Sequence, residues 1–322
     1  MSYLFSDIQT MTGAHCLQKT QPAARVEQLL FDSRSVTAPA VSLFFALPGK
    51  HRDGHRFIPE LYDRGVRQFV VSQHPDLRAF PEGNFLLVEN TLDALQQLAE
   101  AHRARFHIPV IGITGSNGKT VVKEWLAQLL SPDFDLVRSP KSFNSQIGVP
   151  LSVWQMQERN TLAIFEAGIS QPGEMERLEK IIRPTIGIFT NLGPAHREGF
   201  ASDEEKKQEK MRLFKRADIL ICEAGLLPDE TPTPRFIWSK NDRPAHWKIT
   251  AIAPLADGKC RIQAEKGSLN LPGHQLPASA QITLPFSDPA SIENALHCWA
   301  VLLLLDVTEA EVEKRMLRLE PI

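Results

Sequence analysis

The chain has 322 residues, 43% of them hydrophobic and 23% charged, which excludes disorder as the main state and gives length for two ordinary domains. Lys and Arg number 36 against 38 Asp and Glu, a net charge of −2, which excludes a protein built chiefly to hold nucleic acid or an anionic membrane. A local basic pocket for one phosphorylated ligand stays open. Cys16, Cys222, Cys260 and Cys298 stand far apart, with no CxxC spacing, and read as free thiols of a reducing compartment. Residues 1–9 carry Asp7 and lack the basic-then-apolar order of a secretory leader. The longest apolar stretch, 295–305, contains His297 and falls short of the roughly 20 residues that span a bilayer. These features predict a cytoplasmic protein without membrane insertion.

In chain order, short apolar runs at 29–31, 43–47, 68–71 and 85–88 read as strands, with Gly49, Gly54, Gly65 and Gly83 in the connections. Thr91 reads as a helix N-cap, followed at helical spacing by Leu92, Leu95, Leu98, Ala99 and His102. Pro109 marks a boundary. Beyond it, the runs 110–114, 162–165, 186–190 and 219–221 are apolar on both faces and alternate with helical patterns, which predicts a parallel α/β sheet. In such sheets ligands sit at the carboxyl ends of the strands. From about 232 to 285 shorter strands and turns suggest a β-rich excursion. A helix follows over about 290–305, and a second starts at Thr308, with Glu311 at capping-box spacing.

The loop Ile113-Thr114-Gly115-Ser116-Asn117-Gly118-Lys119-Thr120 follows a strand and opens a helix with Val121, Val122, Trp125, Leu126 and Leu129 on its apolar side. Its glycines let backbone amides face an anion, and the helix N-terminus adds a favourable dipole. Lys119 can reach outer phosphates, and the Thr120 hydroxyl can ligate Mg²⁺. The first glycine of the strict phosphate-loop pattern is replaced by Ile113, with glycines at 112 and 115 instead, so this is a T-G-x-N-G-K-T variant. Glu166, at the end of its apolar run, reads either as an Mg²⁺ ligand or as a loop or capping carboxylate. Taken alone, His196 reads as a surface histidine, and Lys210, within a charge run on a helix, as part of a solvated face.

Four spaced motifs change that weighting: 112–120; Phe143-Asn144-Ser145-Gln146-Ile147-Gly148-Val149-Pro150; Glu166-Ala167-Gly168; and 190–200. Together they resemble the central domain of the Mur ligases. Phe31-Asp32-Ser33-Arg34 and 49–57 resemble the family's N-terminal domain. The pattern is nearest to members that join D-alanyl-D-alanine to UDP-N-acetylmuramoyl-tripeptide in peptidoglycan precursor synthesis.

The resemblance implies an α/β protein of two parts. A small α/β substrate domain over 1–107 would precede a phosphate-loop ATPase domain over 108–318, with 319–322 starting a further domain. It also implies roles. Gly115, Ser116, Asn117, Gly118, Lys119 and Thr120 would hold ATP; Thr120, Glu166 and His196 would ligate Mg²⁺; Asn294 would meet the adenine. Lys119, Lys210 and His196 would be catalytic, Lys210 as a carbamylated lysine, which requires a neutral amine. Asp32, Ser33, Arg34, Asn144 and Asn191 would line the substrate site. The implied reaction passes through an acyl phosphate.

Ala290-Ser291 stand where many members carry His-Asn, and 288–294 resemble a fused form in which the ligase precedes an alanine racemase. Without a third domain, weak or absent ligation is the expectation. The competing readings are a folylpolyglutamate synthase-like ligase, a non-catalytic nucleotide-binding protein, and a generic phosphate-loop kinase or GTPase. Asp32-Ser33-Arg34 weighs against the first, Glu166, His196 and Lys210 at the family's positions weigh against the second, and the third gives no account of the N-terminal third of the chain.

Overall fold

The computed structural model describes residues 1–49, 53–193, 199–227 and 233–322. In chain order the elements begin with β1 (Tyr3–Leu4), α1 (Phe5–Thr12), β2 (His15–Lys19), β3 (Arg25–Val26), β4 (Gln28–Leu30) and β5 (Ser42–Phe45). Then come α2 (Ile58–Asp63), β6 (Gln68–Val71), β7 (Asn84–Leu87), α3 (Thr91–Arg103), β8 (Val110–Thr114), α4 (Lys119–Leu130) and β9 (Leu136–Arg138). These lead to α5 (Gly148–Val153), β10 (Leu162–Glu166), α6 (Glu174–Ile182), β11 (Ile186–Phe189), α7 (Asp203–Met211) and β12 (Ile219–Glu223). The last are β13 (Arg235–Ser239), β14 (Trp247–Pro254), β15 (Cys260–Lys266), β16 (Ser279–Leu284), α8 (Pro289–Leu304) and α9 (Glu309–Met316).

The chain forms two compact units, one of Met1–His107 with Gln146–Glu158, the other of Ile108–Ser145 with Arg159–Ile322. The first unit holds a sheet of order β2-β7-β6-β5-β4, parallel except for β2. Alternation along its strands sends Leu43, Phe45, Val70 and Leu86 to one face, where Phe5, Ile8, Leu95 and Leu98 pack. It sends Phe44, Phe69, Val71 and Phe85 to the other, against Ile58 and Leu61. The segment 146–158 belongs to this unit because its apolar side covers α3. Trp154 stacks near Tyr3 and His102 and donates from Nε1 to the Glu27 carbonyl at 2.8 Å. The cap of α3 is Asn90, not Thr91. The Asn90 carboxamide accepts the Leu92 and Asp93 amides, while Thr91 is buried and donates to the Ala46 carbonyl.

The second unit is built on a sheet of order β9-β10-β8-β11-β12-β13-β14-β15-β16, parallel from β9 to β14. The stretch expected as a β-rich excursion is continuous with this sheet, since β14 pairs with β13 before β15 and β16 add on antiparallel. Trp125, Trp238, Trp247 and Trp299 fill its core with α4 and α8. Thr308 precedes α9 but its side chain caps no amide; Glu311 pairs instead with Lys314 and Arg315 at 3.0 and 3.2 Å.

Strand order fixes where chemistry can occur. β8 lies between β10 and β11, with Glu166 opposite Ile113 and Phe189 opposite Thr114. The chain leaves β8 toward one edge and later returns to build the other, so the carboxyl ends of β8, β10 and β11 open on one crevice. Among the described residues no helix is long and apolar enough to cross a membrane. The four cysteines are free thiols, and burial pushes Cys222 up to about 12.

Candidate functional site

Gly115 begins the loop at φ +148° and Gly118 ends it at φ +81°, where side chains are disfavoured. Each is also sterically required. A Cβ on Gly115 would stand 1.9 Å from Thr190 Oγ1, and one on Gly118 would stand 2.2 Å from Asn294 Oδ1. Asn191 holds the middle of the loop: its carbonyl accepts the Ser116 amide at 2.9 Å and its Oδ1 accepts the Asn117 amide at 3.0 Å. Thr190 Oγ1 donates to the Asn117 carbonyl at 2.6 Å. Two of the amides expected to face an anion are therefore committed to β11's exit loop. The first amides of α4 are different: Gly118 is the N-cap and offers no side chain to them, so they are available to a ligand.

Two ammonium groups converge on this loop. Lys119 Nζ donates to the Gly115 carbonyl at 3.0 Å and the Ser116 carbonyl at 3.3 Å. Lys210 Nζ donates to the same Gly115 carbonyl at 3.0 Å. Lys206, one turn earlier on α7, is buried beside them. Burial lowers the Lys119 pKa, opposed by Glu166 and reinforced by Lys206. Burial, then the positive charges of Lys119 and Lys206, brings Lys210 down to about 7. The charge run on α7 is thus not simply a solvated face, because Lys206 and Lys210 turn inward.

Opposite stands an acid. Glu166 ends β10 fully buried, and its Oε2 accepts from the Thr120 hydroxyl at 3.1 Å and from Asn144 Nδ2 at 3.4 Å. Its Oε1 lies 3.0 Å from Lys123 Nζ. That contact is an ion pair off the hydrogen-bond angle, so Oε1, though buried, accepts no hydrogen bond. A buried carboxylate and a hydroxyl side by side are hard oxygen donors that suit Mg²⁺, which is ordinarily held by one or two carboxylates together with substrate phosphates. Among the described residues no cluster of three or more His, Cys, Asp and Glu gathers to hold a metal unaided.

Asn294, on α8, is buried beneath Gly118. Asn144 also bridges backward, its carbonyl accepting the Gly168 amide at 2.8 Å. The loop residues, Asn144, Glu166, Asn191, Lys210 and Asn294 are thus gathered in the second unit, while His196 lies outside the described residues. Asp32, Ser33 and Arg34 belong to the first unit. There Asp32 caps a 3₁₀ turn, and the exposed Arg34 guanidinium folds back on the Asp32 carboxylate at 2.6 Å. The Ser33 carbonyl accepts Arg64 Nη1 at 2.6 Å.

Three contributors were missed by sequence reasoning: Lys123, Lys206 and His297. The first two had a signal, each lying one helical turn from a lysine already singled out. His297 had none. It is buried on α8, donates from Nε2 to the Thr190 carbonyl at 3.0 Å and accepts Trp238 Nε1 at 3.3 Å. Because Nδ1 accepts, the ring is neutral, and burial brings its pKa to about 4.

Residues 113–302 match the profile described as Mur ligase middle domain, and 25–103 match that described as Mur ligase family, catalytic domain. A UDP-N-acetylmuramoyl-tripeptide–D-alanyl-D-alanine ligase of Bacillus subtilis is 35% identical over 186 residues, 56% of this chain and 40% of that protein. The enzyme of the same name from Rickettsia prowazekii is 36% identical over 201 residues, 62% of this chain and 44% of that protein. The chain therefore spans less than half the length of these relatives. In fold it is similar to MurF from Acinetobacter baumannii, with a TM-score of 0.86 at 23% identity, covering all of this chain and 69% of that one. It is similar also to MurF ligase from Thermotoga maritima in complex with ADP, with a TM-score of 0.79 at 23% identity, covering 92% of this chain and 67% of that one. A middle-domain match across more than half of its residues, on a fold these solved structures share, means that the chain belongs to the Mur ligase family.

Proposed function

We propose that this chain provides the nucleotide-binding and UDP-sugar-binding parts of a cytoplasmic ligase of peptidoglycan precursor synthesis. That ligase joins D-alanyl-D-alanine to UDP-N-acetylmuramoyl-tripeptide at the expense of ATP. The observation that carries the reading is the convergence of the Lys119 and Lys210 ammonium groups on Gly115, across from the Thr120–Glu166 pair.

In this reading the free amides of α4 and Lys119 take the β- and γ-phosphates, displacing the loop carbonyls from the ammonium group. Thr120, Glu166 and His196 would hold Mg²⁺, which, when bound, neutralises charge developing between the phosphates. Asn294 would position the base, and Asn144 and Asn191 would border the crevice. Asp32, Ser33 and Arg34 would engage the UDP end, Arg34 exchanging its internal carboxylate for the diphosphate. A carboxylate oxygen of the tripeptide attacks the γ-phosphorus, and the bond to the ADP oxygen breaks, giving an acyl phosphate and ADP. The D-alanyl-D-alanine amine then adds to the acyl carbon, loses a proton and expels phosphate. Lys210, brought to about 7, is largely a free amine at pH 8. The neutral amine can attack CO₂ and release a proton to solvent, giving a carbamate that carries one negative charge.

Calorimetric titrations test the reading. Mg·ATP and UDP-N-acetylmuramoyl-tripeptide should each bind the wild type. Lys119→Met should abolish only the first and Arg34→Ala should weaken only the second. Binding of a folate in place of the UDP-tripeptide would favour the folylpolyglutamate synthase alternative.

A further inference from the structure

Lys123 has no place in the chemistry above, yet it is held by several groups at the crevice. Its side chain is fully buried. Its ammonium group contacts three acceptors: Glu166 Oε1 at 3.0 Å, Glu124 Oε1 at 2.9 Å and the carbonyl of Lys141. Two of the three are carboxylates, so the buried charge is paired. Each contact organises something different. Glu124 is also held by Arg138 at 3.1 Å, which ties α4 to β9. Lys141 sits at φ +48°, a conformation that disfavours a side chain, and its carbonyl is the group Lys123 holds. The segment held in that turn brings Ser142 Oγ within 3.5 Å of Thr120 Oγ1 and Asn144 Nδ2 within 3.4 Å of Glu166 Oε2. The third contact divides the Glu166 carboxylate between its oxygens. With Oε1 against Lys123, Oε2 is left facing the Thr120 hydroxyl. The carboxylate's hydrogen bonds, from Thr120 and Asn144, come from neutral groups.

We infer that Lys123 is a positioning residue for the divalent cation: it anchors one oxygen of Glu166 and the strained turn at Lys141, so that the other oxygen meets Thr120 as a preformed metal-binding pair. This rests on the reading of the crevice as an ATP·Mg²⁺ site. The opposing electrostatic view is that a buried ammonium group beside the carboxylate only repels a metal, and it predicts a result of the opposite sign.

The test uses the full chain and measures ADP binding by calorimetry in EDTA and in excess Mn²⁺, with Mn²⁺ occupancy read by electron paramagnetic resonance. Lys123→Met retains the shape and removes the charge. Outer contacts that orient a metal ligand are ordinarily worth about 10- to 100-fold in metal affinity. The Mn²⁺-dependent gain in ADP affinity should therefore fall at least about tenfold, with ADP affinity in EDTA within about threefold of wild type. Equal losses in both media, an unchanged gain, or tighter Mn²⁺ binding would overturn the inference. If Lys123→Met does not fold, Glu124→Gln removes one charged acceptor of the ammonium group at a partly exposed position. It should lower the gain about two- to fivefold, and no change would again overturn it. A wild type that binds no ADP removes the reading of the site itself, whereas a wild type with a Mn²⁺-dependent gain that Lys123→Met shares removes only the role of Lys123.

Discussion

Replacing Lys210 by Met should make the protein more stable at neutral pH, and the size of the gain follows from the site. In the folded chain Lys210 titrates at about 7, against 10.5 for a lysine in water. At about 1.4 kcal/mol for each tenfold change in proton affinity, this costs the folded state up to about 5 kcal/mol wherever the amine is charged. The side chain is 3% exposed, so solvent screens little of that cost. Below pH 7 both folded and unfolded chains carry the proton, and the full penalty applies. Between 7 and 10.5 the unfolded chain holds the proton and the folded chain has lost it, so stability rises with pH; above 10.5 the penalty is gone. Met also forfeits the hydrogen bond to the Gly115 carbonyl, but Lys119 still donates to that oxygen. The expected net gain is about 2–4 kcal/mol at pH 6.5, shrinking toward zero by pH 9.5. Urea unfolding of both proteins at pH 6.5, 8 and 9.5, in buffers free of bicarbonate, measures the difference. A variant less stable than wild type at pH 6.5, or a difference that does not change with pH, refutes the reasoning.

Gly115→Ala should destabilise the fold by about 3 kcal/mol in urea titration, combining an unfavourable φ with a Cβ 1.9 Å from Thr190 Oγ1, and should weaken ADP binding at least tenfold. His297→Phe leaves the Trp238 indole N–H and the Thr190 carbonyl without their partner, a loss of about 3 kcal/mol. Because His297 falls from 6.5 to about 4 on folding, the wild type loses stability as pH drops through that window, and the variant should show a shallower acid decline in thermal unfolding. With ¹³C-bicarbonate at pH 8 the wild type should give a carbamate carbon resonance that Lys210→Met lacks; its presence in the variant would assign it to another amine.

Much of this protein is local and therefore legible in its residue order. The loop at 113–120 declares itself because glycine spacing, a Lys-Thr pair and the helical repeat of Val122, Trp125, Leu126 and Leu129 act within a few residues of one another. The runs at 110–114 and 186–190 declare buried strands for the same reason. The cap of α3 falls on Asn90 and not Thr91 because both are good cap residues, and the burial that draws Thr91 toward Ala46, just beyond β5, is a tertiary contact.

What the order of residues leaves open is which distant groups become neighbours. That β8 is flanked by β10 and β11 decides that Glu166, Thr190 and Gly115 emerge together. Packing of α7 against the loop turns Lys206 and Lys210 inward, although charge composition describes a wet helix face. The 146–158 segment joins the first unit because its apolar side finds α3, and the strands after 232 join the main sheet because β14 finds β13. Periodicity and turn chemistry are properties of a few adjacent residues and can be read directly. A buried ion pair such as Lys123–Glu166 exists only after the sheet has closed, since burial cost and Coulomb attraction depend on what the tertiary fold excludes from water.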